Sequence, residues 1–118
     1  MLLEISAEDF PLGDTLRGTV ESHLRLVLSR YDGLIEHVKV TLDDVHGNAH
    51  GGIDKRCMIR VSLPKSRSVV VQVTENDMYD AIQYCAQKLN RTLSRQIDKR
   101  RHLKRAESLN ENINQEIA

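Results

Sequence analysis

Three segments in the middle of this chain alternate apolar and polar residues with a period of two. They are IEHVKVTLDDV (35–45), KRCMIRVSL (55–63) and SVVVQVT (68–74). That period puts every second side chain on one face of an extended backbone, so each segment reads as a strand buried on one side. Val38, Val40 and Leu42 share one face of the first, Cys57, Ile59, Val61 and Leu63 of the second, and Val69, Val71 and Val73 of the third. His37, Lys39, Thr41, Asp43, Met58, Arg60, Ser62 and Gln72 point the other way. The connections are HGNAHGGID (46–54), with three glycines, and the turn PKSR (64–67). Three such strands in series predict an antiparallel meander.

The flanking segments have a helical period. LLEIS (2–6) is a short first strand, and Pro11 and Gly13 punctuate the loop after it. Leu16, Val20, Leu24, Val27, Leu28 and Tyr31 then recur at spacings of three and four. Asp14 stands at the expected N-cap of this helix, and Asp32-Gly33 at its expected end. A second helix is capped by Asn76 or Asp77 and carries the stripe Met78, Ile82, Cys85, Ala86, Leu89 and Leu93. The order is β-α-β-β-β-α. A helix between the first two strands predicts that they lie parallel with a right-handed crossover. Each helix has one apolar stripe, so both can cover the same sheet face. The expected fold is α+β, a four-stranded mixed sheet with two helices packed on one face.

A chain of 118 residues is expected to form one domain, over 1–105, with a polar tail over 106–118. In the tail Leu109, Ile113 and Ile117 keep a spacing of four, which leaves fraying, continued helix and docking all open. With no Trp and a single Phe, Phe10, the core must be aliphatic. Cys57 and Cys85 form no CxxC pattern, which suits a reducing compartment. Glu4 interrupts the start of the chain, and no stretch approaches the ~18 apolar residues of a membrane span. A cytoplasmic location is expected.

Charge is unevenly placed. The chain has 17 basic and 17 acidic residues, yet KLNRTLSRQIDKRRHLKR (88–105) holds eight basic side chains against one acid, Asp98. The remainder is therefore acidic. At ~100° per residue, Lys88, Arg91, Arg95 and Lys99 line one stripe of the second helix, away from Ile82, Leu89 and Leu93. After Ile97 the apolar stripe fails, so the helix is expected to run past the sheet as a basic extension. A helix from Asp77 to Arg105 reaches ~43 Å.

Two readings compete for this stripe. Charge runs are commonly solvated faces. Such faces mix signs, however, whereas stacked like charges repel at a cost of a few tenths of a kcal/mol per pair. The second reading, a polyanion site, accounts for that cost, and nucleic acid is the commonest soluble polyanion. The contacts would be mainly to phosphates. Few aromatics argue against a stacking platform for single strands and favour structured RNA.

Other candidates are weaker. His46, His50, Asp54 and Cys57 are metal-ligand types, but their spacing matches no familiar site. The same loop reads either as a plain glycine-rich connection or as a segment whose Lys55 and Arg56 add phosphate contacts. Cys85 reads as a small core residue. Tyr79 and Tyr84 could each contact RNA, cap or pack. No G-x-x-x-x-G-K or G-x-G-x-x-G occurs, and His, Asp and Ser form no triad pattern. No enzyme activity, cofactor or metal is expected.

ENDMYDAIQYCAQKLNRTLSRQIDK (75–99) resembles the second helix of the ribosome hibernation-promoting factor family, also called ribosome-associated inhibitor or sigma-54 modulation protein. Members read D-M-Y-x-A-I at the helix start, then K-L-x-R-x-L. Those positions here are Asp77, Met78, Tyr79, Ala81, Ile82, Lys88, Leu89, Arg91 and Leu93. DTLRGTVESHLRLVLSRYDGLIEHVKVTL (14–42) is similar to the family's first helix and the strand after it. The resemblance spans roughly 2–105 and looks like the short, one-domain form. It implies a stationary-phase or stress protein that sits in the mRNA and tRNA channel of the small ribosomal subunit and silences or protects idle ribosomes. It implies rRNA contacts at Lys88, Arg91, Arg95 and Lys99, with Arg17 and Arg25 as weaker candidates and Tyr79 favoured as part of the matched motif. The implied partners are the small subunit and its rRNA, with no membrane and no small-molecule substrate, and a monomer is expected off the ribosome. The alternative is a protein-interaction modulator that offers the basic helix to an acidic partner.

Overall fold

Strands β1 (Leu2–Glu8) and β2 (His37–Asp44) lie parallel, with Leu2 opposite His37 and Glu8 opposite Asp43. A parallel pair cannot be joined by a tight turn, and helix α1 (Asp14–Ser29) supplies the crossover. Strand β3 (Lys55–Leu63) pairs antiparallel with β2, and β4 (Arg67–Glu75) antiparallel with β3. The sheet order is β1-β2-β3-β4, and helix α2 (Met78–Ile117) follows the last strand. This is the expected α+β architecture. The computed structural model describes residues 2–8, 11–45 and 54–117, with side chains through Ile97. The loop residues His46 and His50 lie outside the described residues.

The period-two pattern determines which sheet face is covered. Val38, Val40, Leu42, Cys57, Ile59, Val61, Val69 and Val71 are buried, and Val73 packs partly buried against them. Leu16, Val20, Leu24, Val27 and Leu28 of α1 and Ala81, Ile82, Cys85, Ala86, Leu89 and Leu93 of α2 close this core. It is aliphatic throughout, apart from Tyr31 at its margin. Leu89 and Leu93 are wholly buried, and each contributes about 1.5–3 kcal/mol by leaving water. Cys57 and Cys85 are free, buried thiols; the Cys85 thiol donates to the Cys57 carbonyl at 3.3 Å. Hydrogen bonding with Cys85, then burial, pushes the Cys57 thiol pKa up, so it is a packing group and not a nucleophile.

The helix ends differ from the sequence expectation. Gly13, not Asp14, is the N-cap of α1, in extended conformation, and its carbonyl accepts from the Arg17 N–H at 3.0 Å. Asp14 is the first helical residue, where its charge still meets the positive end of the helix dipole. At the other end α1 stops at Ser29, and Gly33 is not its C-cap. Gly33 (φ +88°) instead serves a turn closed by the Leu34 N–H donating to the Tyr31 carbonyl at 3.0 Å. The cap of α2 is as expected: Asp77 Oδ1 accepts from the Tyr79 N–H at 2.7 Å. The β3–β4 turn places two non-glycine residues in the left-handed region, Lys65 (φ 65°) and Ser66 (φ 60°).

Of the courses left open for the tail, the structure shows continued helix. α2 holds 40 residues and continues as helix through the polar tail, ~60 Å in all. Ile97 is its last described side chain and is buried, and the molecule is 69 Å in its longest dimension. The first 20 of its 40 residues, Met78–Ile97, carry the described side chains, and their apolar stripe packs on the sheet.

Candidate nucleic-acid interface

Both helices run opposite to β1, β2 and β4, because each follows one of those strands and packs back on the sheet. They therefore start at one end of the sheet and travel together to the other. The starting end is acidic. Glu8, Asp14, Asp43, Asp44, Asp54, Glu75, Asp77 and Asp80 all lie at strand ends or helix starts on that side. The far end receives Arg91 and Arg95 on α2 and Arg30 just beyond α1. A chain with no net charge is thus polarised along α2.

On α2, Lys88, Arg91 and Arg95 are exposed and form no ion pair with a described residue. Lys88 Nζ donates to the Gln72 carbonyl at 3.3 Å. Gln72 lies on β4, the edge strand, so the stripe runs beside that edge. The backbone of α2 carries Lys99 one turn beyond Arg95, and its side chain lies outside the described ones. Arg17 and Arg25 are exposed on α1, eight residues and ~12 Å apart, also without a described ion-pair partner.

The other two predicted cations are differently placed. Arg56 grips Asp43 with both arms of its guanidinium, Nε to Oδ1 at 2.9 Å and Nη2 to Oδ2. Lys55 Nζ lies 2.6 Å from Asp44 Oδ2 and 3.5 Å from Asp54 Oδ1. Asp43 and Asp54 are buried, so both cations are engaged in closing the acidic end of the sheet. The hydrogen bond to Asp44 raises the Lys55 pKa, and that to Asp43 raises Arg56. Asp54 and Cys57 are thereby accounted for, and the described residues contain no group of three or more metal-ligating side chains.

The two tyrosines separate. Tyr79 is half-exposed, but nine residues place it on roughly the opposite side of α2 from Lys88. Tyr84 lies four residues before Lys88 and seven before Arg91, on the basic stripe, and is equally exposed. Sequence reasoning left Tyr84 among several roles, although its spacing to Lys88 and Arg91 was the available signal. The candidate residues are therefore Tyr84, Lys88, Arg91 and Arg95 in one stripe of α2 beside the β4 edge, and Arg17 and Arg25 on α1. They have donors, fixed charge and one ring, and no nucleophile or paired base.

Comparison with known proteins follows the same line. A model of the family described as Sigma 54 modulation protein / S30EA ribosomal protein matches residues 3–101. The fold is similar to that of a ribosomal subunit interface protein from Coxiella burnetii, with TM-score 0.70 and 19% identity over 83% of this chain and 99% of that one. It is also similar to the N-terminal domain of Protein Y from Thermus thermophilus, with TM-score 0.63 and 26% identity over 78% of this chain and 93% of that one. A search of curated proteins gave no match.

Proposed function

This chain belongs to the Sigma 54 modulation protein / S30EA ribosomal protein family, and from that premise we propose a non-enzymatic ribosome-associated factor that binds small-subunit rRNA. It occupies the channel used by mRNA and tRNA, and it silences or protects idle ribosomes under stress or in stationary phase.

One observation carries this reading. Lys88, Arg91 and Arg95 stand exposed and without described ion pairs on a helix that outruns its own sheet. Residues four apart on that helix are ~6 Å apart along its axis, so successive cations can follow a phosphate backbone. Arg17 and Arg25 widen the grip, and Tyr84 adds an exposed ring beside Lys88. Neutralising phosphates releases counterions, so log K falls with log salt by roughly 0.7–0.9 per phosphate contacted. The acidic end of the sheet, repelled by RNA, leaves the helices' far ends to lead. Silencing needs no chemistry, because a domain seated in the channel excludes tRNA by volume.

The test is sucrose-gradient sedimentation of the purified protein with small subunits, large subunits and whole ribosomes, followed by competition with tRNA. Stoichiometric migration with small subunits, displaced by tRNA, supports the proposal. Failure to migrate at low salt contradicts it.

A further inference from the structure

The helices cover one face of the sheet and leave the other open. In register across that open face lie Glu4, Lys39, Arg60 and Val70, one from each strand. Lys39 and Arg60 are directly opposed and both exposed. Like charges in directly opposite positions destabilise a sheet. The same face shows the ordinary solution four residues further along β2, where Asp43 stands opposite Arg56 and binds it with both carboxylate oxygens. Lys39 and Arg60 have no such relief. Glu4, the neighbouring acid, turns to His37, with Oε1 3.5 Å from Nε2, and neither Lys39 nor Arg60 forms an ion pair with a described residue.

We propose that the open sheet face, centred on the opposed Lys39 and Arg60, is a second RNA phosphate-binding surface, continuous around the β4 edge with the basic stripe of α2. This rests on the RNA-binding reading given above and extends it. The continuity follows from two contacts. Val70 of β4 is the register partner of Arg60, and Gln72, two residues along the same strand, accepts from Lys88 Nζ at 3.3 Å. The α2 stripe and the sheet pair thus flank one edge strand. Between them the face carries no acid on β3 or β4. Beside the carboxylates of Glu4, Glu8 and Asp43, which lie on β1 and β2, its polar groups Ser6, Thr41, Ser62, Ser68 and Gln72 can all donate hydrogen bonds. Its described residues include no Phe, Tyr or Trp, and its imidazole, His37, is turned to Glu4. The chemistry fits the backbone of an RNA segment, read without regard to sequence. The domain would then be held between two RNA segments, one along α2 and one across the sheet.

The decisive variant is Lys39→Glu, which gives Arg60 a partner. It exchanges the like-charge contact with Arg60 for one with Glu4, so the melting temperature should stay within a few degrees of the native value and serves as the control for folding. It should also weaken binding to small subunits roughly tenfold and shallow the salt slope by about 1.4–1.8, the share of two phosphates. Arg60→Gln serves as the second variant and should weaken binding with half that change in slope. Unchanged affinity and slope in both variants, while Arg91→Glu/Arg95→Glu releases the protein, overturns this inference and leaves the α2 reading standing. No effect in any of the three overturns both. Weakened binding to intact subunits, with unchanged binding to protein-free small-subunit rRNA, assigns the face to an acidic ribosomal protein and also overturns it.

Discussion

The hydroxyl of Tyr31 donates to Ser94 Oγ at 3.0 Å, joining the exit of α1 to α2 between Arg91 and Arg95. Tyr31 is buried, and Ile97 of α2, one turn beyond Ser94, is the last described side chain of the core. This bond therefore fixes the helix at the place where it leaves the sheet. Tyr31→Phe keeps the ring and removes the donor. It should cost about 0.5–1.5 kcal/mol in urea unfolding and weaken ribosome binding without changing its salt slope, since no phosphate contact is lost.

Packing and binding should separate on α2. Leu93 is wholly buried, and Leu93→Ala should cost about 2–5 kcal/mol. Arg95 is exposed two residues away, and Arg95→Glu should change stability by less than about 0.5 kcal/mol. Chemical denaturation of the two variants checks both values. An Arg95 variant as unstable as the Leu93 variant would show that Arg95 is a structural residue.

Much of this was legible in the sequence, for identifiable reasons. Alternation from Val38 to Leu42 and from Cys57 to Leu63 fixes the buried face because side chains on a strand have only two directions. The stripe Lys88, Arg91, Arg95 was visible because it depends on one helix alone. What depends on two elements was hidden. Lys55 and Arg56 looked available because Asp43 and Asp44 reach them only through the β2–β3 register. The opposition of Lys39 and Arg60 was hidden for the same reason. The ends of α1 were misjudged because Gly13 caps through backbone conformation, with no side-chain signature, and because Gly33 serves the following turn.

The ion pairs at the acidic end make the fold sensitive to their removal. Asp43→Ala leaves the Arg56 guanidinium half-buried without its acceptor and should cost about 1–3 kcal/mol, reduced by the access of Arg56 to water. The double variant Asp43→Ala/Arg56→Ala should be less damaging than the two single losses added together. Simple additivity in a double-mutant cycle would contradict the pairing.

Lys55 gives this end a pH dependence. Its hydrogen bond to Asp44 raises its pKa above the ordinary 10.5. A raised folded-state value means that the native protein holds this proton more tightly than the unfolded chain. The resulting stability is fully present below about pH 10.5 and is lost as pH rises through the folded-state value. Urea unfolding at rising alkaline pH should show a steeper loss for the native sequence than for Lys55→Met. Parallel curves would show that the bond adds nothing.

The β3–β4 turn offers a gain. Ser66 holds φ 60° with a side chain attached, a conformation that costs about 1 kcal/mol relative to glycine. Ser66→Gly should stabilise the fold by up to about 1 kcal/mol, after the entropy of the freer unfolded chain is set against it. A lower melting temperature for this variant would contradict the turn geometry.

The central claim is that Arg91 and Arg95 hold RNA phosphates. The measurement that tests it most directly is co-sedimentation of Arg91→Glu/Arg95→Glu with small subunits across a salt series, with circular dichroism and melting as the control for folding. A folded variant that no longer migrates with the subunit, beside a native protein whose binding falls linearly with log salt, is the predicted result. A folded variant that binds as tightly as the native protein at every salt concentration would contradict it.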